Sequence, residues 1–271
     1  QRPNGDLYVP QDQLSNQSAW LYSHGIAAIA LCEAYGMTRD PQLREPAQKA
    51  VDFIVASQHT RRGGWRYVPA VGSDTSVSGW MVMAMRSAEL ASLTVPQSAW
   101  DGVERWLEMA RASARQPELF RYNPMAPNTA AQAHGRQPSN TMTSVGLLMR
   151  MYTGWRRDNR NLIRGAEHLQ QHLPEIGSPD DPQRDTYYWY YATQVMFHMR
   201  GDYWGRWNER LHPLLVSSQE QTGPLAGSWD PQQPLPDRWA AYGGRLYVTT
   251  LNLLSLEVYY RHLPIYEDTA R

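Results

Sequence analysis

The residues best suited to chemistry sit at the starts of apolar segments. Asp74 lies in Gly72-Ser73-Asp74-Thr75-Ser76, directly ahead of an apolar run. His24, Thr75, Thr141, Thr143, Tyr187, Tyr188, Tyr191, Arg245 and Tyr247 occupy comparable positions ahead of, or at the start of, other runs. Together they offer an acid, a base, a cation and hydrogen-bonding phenols. Asp74, with His24 or Tyr191, is the candidate for general acid–base work. The competing role is helix capping, for which Asp74, Ser76, Thr141 and Thr143 are all suitable residue types. The hydroxyls around Asp74 favour its charged form, so the sequence predicts an ionised N-cap on a helix starting near Thr75.

Tyr187-Tyr188-Trp189-Tyr190-Tyr191 places five aromatics in a row. A helix cannot turn all five toward one packed face, so some are expected to face a cavity or a partner. His168 and His172 have the i, i+4 spacing of a metal-binding pair, but the apolar stripe of their helix lies on Leu162, Ala166, Leu169 and Leu173. The histidines therefore point to solvent, and no metal site is assigned. Cys32 is the one cysteine, which excludes an internal disulfide and a multi-cysteine metal centre; it reads as a buried thiol. Glu257 and Arg261 have ion-pair spacing.

The elements that position these residues repeat. Apolar segments near 23–35, 75–91, 141–153, 187–199 and 246–261 are hydrophobic on nearly all faces, the pattern of buried helices. Between them, 45–57, 99–112, 161–173 and 204–218 carry apolar residues at i, i+3, i+4 and i+7, which marks helices with one buried face. Long, proline-containing connections at 113–140, 174–185 and 221–244 separate them, the first read as an excursion over one face. No strand alternation appears, and nothing divides residues 1–271 into independent cores. The chain is expected to be all-α and a single domain.

The stretch from Ala50 to Trp65, with Phe53, Gln58, Gly63, Gly64 and Trp65, resembles the Gln–Trp motif of squalene–hopene cyclases and related terpenoid cyclases. Leu215, Gln219, Gly227 and Trp229 form a looser copy. The hairpins resemble those of protein prenyltransferase β subunits, and the whole resembles bacterial prenyltransferase and squalene-oxidase repeat proteins. The resemblance implies an α/α toroid with inner and outer helix rings. Such a toroid usually has six hairpins. Five inner helices are found here, so one hairpin is expected to be missing, degenerate or truncated at the N-terminus. In that frame His24, Asp74, Thr143, Tyr187, Tyr188, Tyr191, Arg245 and Tyr247 line one mouth of a polar–aromatic cavity. Gln58, Gly64, Trp65 and Trp229 are structural staples. The cyclase Asp-x-Asp-Asp acid motif and the prenyltransferase zinc ligands have no counterpart, so neither active site is carried over.

Composition narrows the functional classes. Lys+Arg and Asp+Glu both number 26, which argues against bulk electrostatic binding of nucleic acid. No apolar run approaches a membrane span. Phosphate-loop, dinucleotide, serine-hydrolase and zincin motifs are absent. No signal peptide opens the chain, but it begins with Gln1, so a processed end and the compartment stay open. The leading expectation is a ligand- or partner-binding module without a cofactor, taking an apolar, isoprenoid, sugar or peptide ligand. The alternatives are an enzyme, either a divergent isoprenoid cyclase using Asp74 or a polysaccharide lyase or hydrolase, and a structural subunit of a larger assembly.

Overall fold

The computed structural model describes residues 1–12 and 16–261. Two compact units, Gln1–Gly154 and Trp155–Arg271, make up the chain. The first contains α1 (Trp20–Thr38), α2 (Pro41–Ala56), α3 (Thr75–Leu90), α4 (Gln97–Ala110), the one-turn α5 (Ala133–Arg136) and α6 (Asn140–Tyr152). The second contains α7 (Arg160–Gln170), α8 (Thr186–Met199), α9 (Gly201–Ser218), α10 (Ala240–Leu256) and the one-turn α11 (Val258–Arg261). Two-residue strands β1 (Gly177–Ser178) and β2 (Asp181–Pro182) pair in a hairpin between α7 and α8. The protein is all-α.

Local sequence explains most helix boundaries. Asp40 accepts from Gln42 N–H ahead of Pro41, whose fixed φ suits a first helical turn. Asn159 accepts from Asn161 and Leu162 N–H to start α7. Ser139 and Asp185 cap α6 and α8 in the same way. Ser139, rather than Thr141 or Thr143, thus begins the third apolar helix. In α10 the backbone breaks at Gly244, with φ 62°, which only glycine adopts without strain.

In the first unit α3 packs against α1, α2, α4 and α6. Val77 through Met85 are consequently buried on every face. In the second unit α8 packs against α7, α9, α10 and α11. The interspersed helices bury one stripe each, such as Val103, Trp106, Leu107 and Ala110 on α4, or Trp207, Leu211 and Leu215 on α9.

Burial departs from expectation at two apolar helices. In α1, Ile26 and Met37 are 47% and 80% exposed; in α10, Leu246 is 77% exposed. Within its unit α1 packs on α2 and α3, and α10 packs on α8 and α11. A helix packed along one side leaves its other face in solvent, however apolar its sequence. The five-aromatic run departs in the opposite sense. All of Tyr187–Tyr191 are buried, because neighbouring helices surround α8 and provide several packed faces.

The glycine–tryptophan segments are tertiary staples, and the two units build them alike. Trp65 is fully buried and its indole N–H donates to Ile54 O, near the end of α2, at 2.8 Å. Its backbone N–H donates to Ser78 Oγ on α3 at 3.0 Å. Gln58 Nε2 donates to Gly63 O and to Ala99 O in the first turn of α4. In the second unit, the Trp229 indole donates to Leu215 O at 2.8 Å, its backbone N–H to Thr249 Oγ1, and Gln219 Nε2 to Gly227 O. Gly63 has φ +79°, and a Cβ there would lie 2.0 Å from Gly102 O. Gly64 admits Ser78, Trp106 and Ser73 to close contact, again leaving no room for a side chain. The expected Glu257–Arg261 pair falls outside the described residues, since the Arg261 side chain is not among them.

Trp65→Ala should lower unfolding free energy by roughly 3–5 kcal/mol, through the cavity and the lost indole bond. Gly63→Ala should also destabilise, because the added carbon meets backbone in a left-handed conformation. Urea melts of both variants against the parent test these effects; an unchanged Trp65→Ala midpoint would show that the ring is not a staple.

Candidate functional site

Asp74 is the centre of a cluster in the first unit in which several chemical groups meet. Its backbone N–H donates to Trp65 O at 2.8 Å, so the tryptophan staple fixes it directly. Its side chain is fully buried and Oδ1 accepts from Val77 N–H at 2.8 Å, which makes it the N-cap of α3. Oδ2 accepts from the Tyr122 phenol at 3.2 Å. The Tyr122 and Tyr67 hydroxyls are 2.5 Å apart. Arg66 Nε lies 3.8 Å from Oδ2, and its guanidinium sits 5.0 Å from the Tyr67 ring centre and 6.0 Å from that of Tyr122. On the α1 side, Tyr22 donates to Ser76 Oγ and packs its ring 6.1 Å from Tyr67.

Chain connectivity explains the assembly. Arg66 and Tyr67 follow the Trp65 staple. Tyr122 arrives on the long 113–140 connection, which returns across the start of α3. Thr75 N–H donates to Tyr122 O and the Thr75 hydroxyl to Arg121 O. A short bridge between Arg121 and Pro138 and the backbone bond from Asn123 to Gly135 hold that return. The result is a carboxyl sealed in the interior, linked through two phenols to a guanidinium whose side chain is 31% exposed.

Burial pushes the Asp74 carboxyl up to about 7, against the opposing pull of Val77 N–H, Arg66, Tyr122 and Ser76 N–H. Burial thus opposes the ionised form of the cap that the sequence predicts. The capping role is present; of the neighbouring hydroxyls, Thr75 donates to Arg121 O and Ser76 accepts from Tyr22. The Tyr122 phenol is held well above its ordinary value by burial and by the neighbouring Asp74 charge. Arg66 is partly desolvated, but Tyr122, Asp74 and Tyr67 outweigh that and keep it cationic.

The other sequence candidates have different partners. His24 is fully buried. Its Nδ1 accepts from Leu7 N–H at 3.1 Å and Nε2 lies 3.0 Å from Ala50 O, the pattern of a neutral Nε2–H tautomer. Burial lowers its pKa, and Asp6 stands 3.5 Å from Nδ1. His24 therefore ties the N-terminal segment to α2 rather than serving as an available base. Thr143 accepts from Phe120 N–H, a structural bond. In the second unit, Tyr188 donates to His172 O and packs edge-on against Trp207. Tyr191 is fully buried against Tyr187 and Tyr190, which leaves it unsuited to a solvent-facing acid–base role. Arg245 pairs with Asp230 and donates to Ser228 Oγ, so its charge is matched locally. Tyr247 is held well above the ordinary phenol range by burial, with Asp185, Tyr187 and Asp237 nearby. The rings of His168 and His172 lie 4.6 Å apart and tilted by 40°, and His172 Nδ1 lies 2.8 Å from His168 O. Among the described residues no group of three or more potential ligands could hold a metal ion. Burial raises the Cys32 thiol to about 12, so it stays protonated.

Sequence reasoning reached Asp74 but missed Arg66, Tyr67, Tyr122 and Tyr22. The pair Arg66-Tyr67 had a usable signal, since it abuts the tryptophan of the staple. Tyr122 had none, because a proline-rich connection carries no periodicity to show where it lands.

Asp74 also makes stability depend on pH. Its folded pKa lies above the unfolded value, so its protonated form contributes stability in full below about pH 4. That contribution is lost as pH rises through about 7. Asn keeps an acceptor for Val77 N–H but cannot ionise. The stability of Asp74→Asn relative to the parent should therefore rise between pH 4 and pH 8, by on the order of 4 kcal/mol. Thermal melts across that range test this, and parallel curves would mean that Asp74 is ionised throughout.

No family model, curated protein or solved structure matches this chain, and the chemistry of the cluster has to be read from its own geometry.

Proposed function

We propose that the chain is a ligand-binding protein of α/α toroid type whose ligand meets the Arg66–Tyr67–Tyr122–Asp74 cluster. The alternation of enveloped helices α3, α6 and α8 with one-sided helices supports the toroid reading, whereas α1 and α10 are packed along one side. The binding reading is carried by one observation: a buried carboxyl is joined through two phenols to a guanidinium on a side chain that is about a third exposed. The cluster sets two partly buried phenol rings, their hydroxyls and a guanidinium side by side. Saccharides present the matching combination of C–H faces and hydroxyls, so they are the favoured ligand among the apolar, isoprenoid, sugar and peptide classes.

The near-neutral Asp74 favours a second reading, an enzyme acting by general acid–base chemistry. A group titrating near the working pH is efficient in either direction of proton transfer. Tyr122 and Tyr67 would then pass the proton outward. An alkene-protonating cyclase is disfavoured, because Asp74 has an N–H, a phenol and a guanidinium arranged to support its charged form.

A thermal-shift screen with galactose, glucose and their disaccharides should raise the melting temperature of the parent but not of Tyr122→Phe. A parent unaffected by any saccharide at high millimolar concentration would overturn the saccharide reading. Incubation with squalene should yield no cyclic product. Cyclic product lost in Asp74→Asn, or sugar-polymer cleavage lost in that variant, would place the enzyme reading first.

A further inference from the structure

We infer that Arg66 anchors an oxyanion on the ligand and that binding of this anion is coupled to uptake of one proton by Asp74. The inference rests on the ligand-binding reading and specifies the ligand's charge.

The geometry around Arg66 differs from that of Arg150, Arg121 and Arg184. Arg150 pairs with Glu104 at 2.6 Å and also with Glu108. Arg121 donates to Met109 O and Arg111 O at 3.0 and 2.7 Å, and Arg184 to Gln233 O and Leu235 O at 2.6 and 3.1 Å. Arg66 is instead held over two phenol rings, hydrogen-bonds the Tyr67 hydroxyl and meets Asp74 only through Nε at 3.8 Å. Charge-assisted bonds are normally about 2.7–2.9 Å, so this contact leaves most of the guanidinium's capacity for bidentate binding unused. Among the described residues Asp74 is the only carboxylate within 4 Å of Arg66.

A second cation lies at the same turn. A Cβ built on Gly72 would lie 3.5 Å from Arg66 Cδ and 4.0 Å from Arg62 Nη1. The left-handed backbone at Gly72, φ +79°, makes the tight bend, and both arginine side chains lie within contact distance of it. The Tyr67 ring and hydroxyl border Arg66 on the other side.

Coupling follows from charge. The ionisable groups facing Asp74 are Arg66 and Tyr67 from the connection after α2 and Tyr122 from the connection after α4; Arg62 adds positive charge at the neighbouring bend, and Tyr22 on α1 reaches the cluster through Ser76. With Asp74 protonated, the arginine charges are uncompensated and an anion is attracted. With Asp74 ionised, its charge cancels one of them. An arriving anion therefore favours the protonated carboxyl, and the Tyr67–Tyr122 hydroxyl pair provides a path for that proton from the surface. Linkage of one proton limits the effect to about tenfold in affinity per pH unit.

Isothermal titration with D-galacturonate, D-galactose and inorganic phosphate tests the proposal. D-galacturonate, whose charge is constant over the range, should bind more tightly at pH 6 than at pH 8. Arg66→Gln should weaken it at least tenfold while the melting temperature stays near that of the parent. Asp74→Asn should bind it equally at both pH values, with the tighter affinity. Competition by phosphate would identify a general oxyanion site, and failure of phosphate to compete a carboxylate-specific one; both support the anchor. Equal binding of galactose and galacturonate, or an unaffected Arg66→Gln, would overturn the anchor and leave the saccharide reading standing. Absence of binding by all three would overturn both.

Discussion

The bond from the Trp65 indole to Ile54 O is the constraint on which the first unit depends. It ties the end of α2 to the segment that leads into α3. The same residue receives Asp74 N–H on its backbone carbonyl and gives its own N–H to Ser78. One buried ring thus sets the position of Arg66 and Tyr67, which follow it, and of Asp74, which pairs back to it. Gln58 extends the hold to α4 by bonding Ala99 O. Burying so large a ring is favourable on its own, but its polar N–H needs an acceptor, and the last turn of a helix supplies one.

The second unit repeats the scaffold with different chemistry. Trp229 makes the corresponding bonds to Leu215 and Thr249. The residue after this tryptophan is Asp230 rather than an arginine, and Arg245 comes from α10 to neutralise it. A staple can therefore be copied while the side chain beside it changes freely, because the staple uses the indole, the backbone and a hydroxyl. The adjoining residue is an ion-paired aspartate in one unit and a partly exposed arginine in the other.

Asp74 shows how one side chain can serve a cap and a titrating site together. Capping requires an oxygen close to Val77 N–H, which places the carboxyl at the head of an enclosed helix. Enclosure removes water and raises the cost of charge. Tyr122 and Arg66 return part of that cost, and the balance falls near neutrality. The arrangement would be less sensitive to pH if the 113–140 connection did not seal the carboxyl from solvent.

Much of the helical framework was legible in the residues themselves. Periodicity separated the helices with one buried stripe from those apolar all round, since it reflects how side chains project from a helix. The glycines, Gln58 and Trp65 announced a staple, and Asp74 ahead of Thr75 announced a cap. Tertiary structure decided the rest. Whether an apolar helix is enclosed depends on how many neighbours it has, so α1 exposes Ile26 and Met37 while α8 buries five consecutive aromatics. Whether His24 is a base depends on Leu7 and Ala50, which lie far from it in sequence. The state of Asp74 depends on Tyr122, brought from 48 residues away by a connection without a pattern. Helix type follows from local spacing, whereas desolvation and charge pairing depend on everything within a few ångströms, which local sequence does not specify.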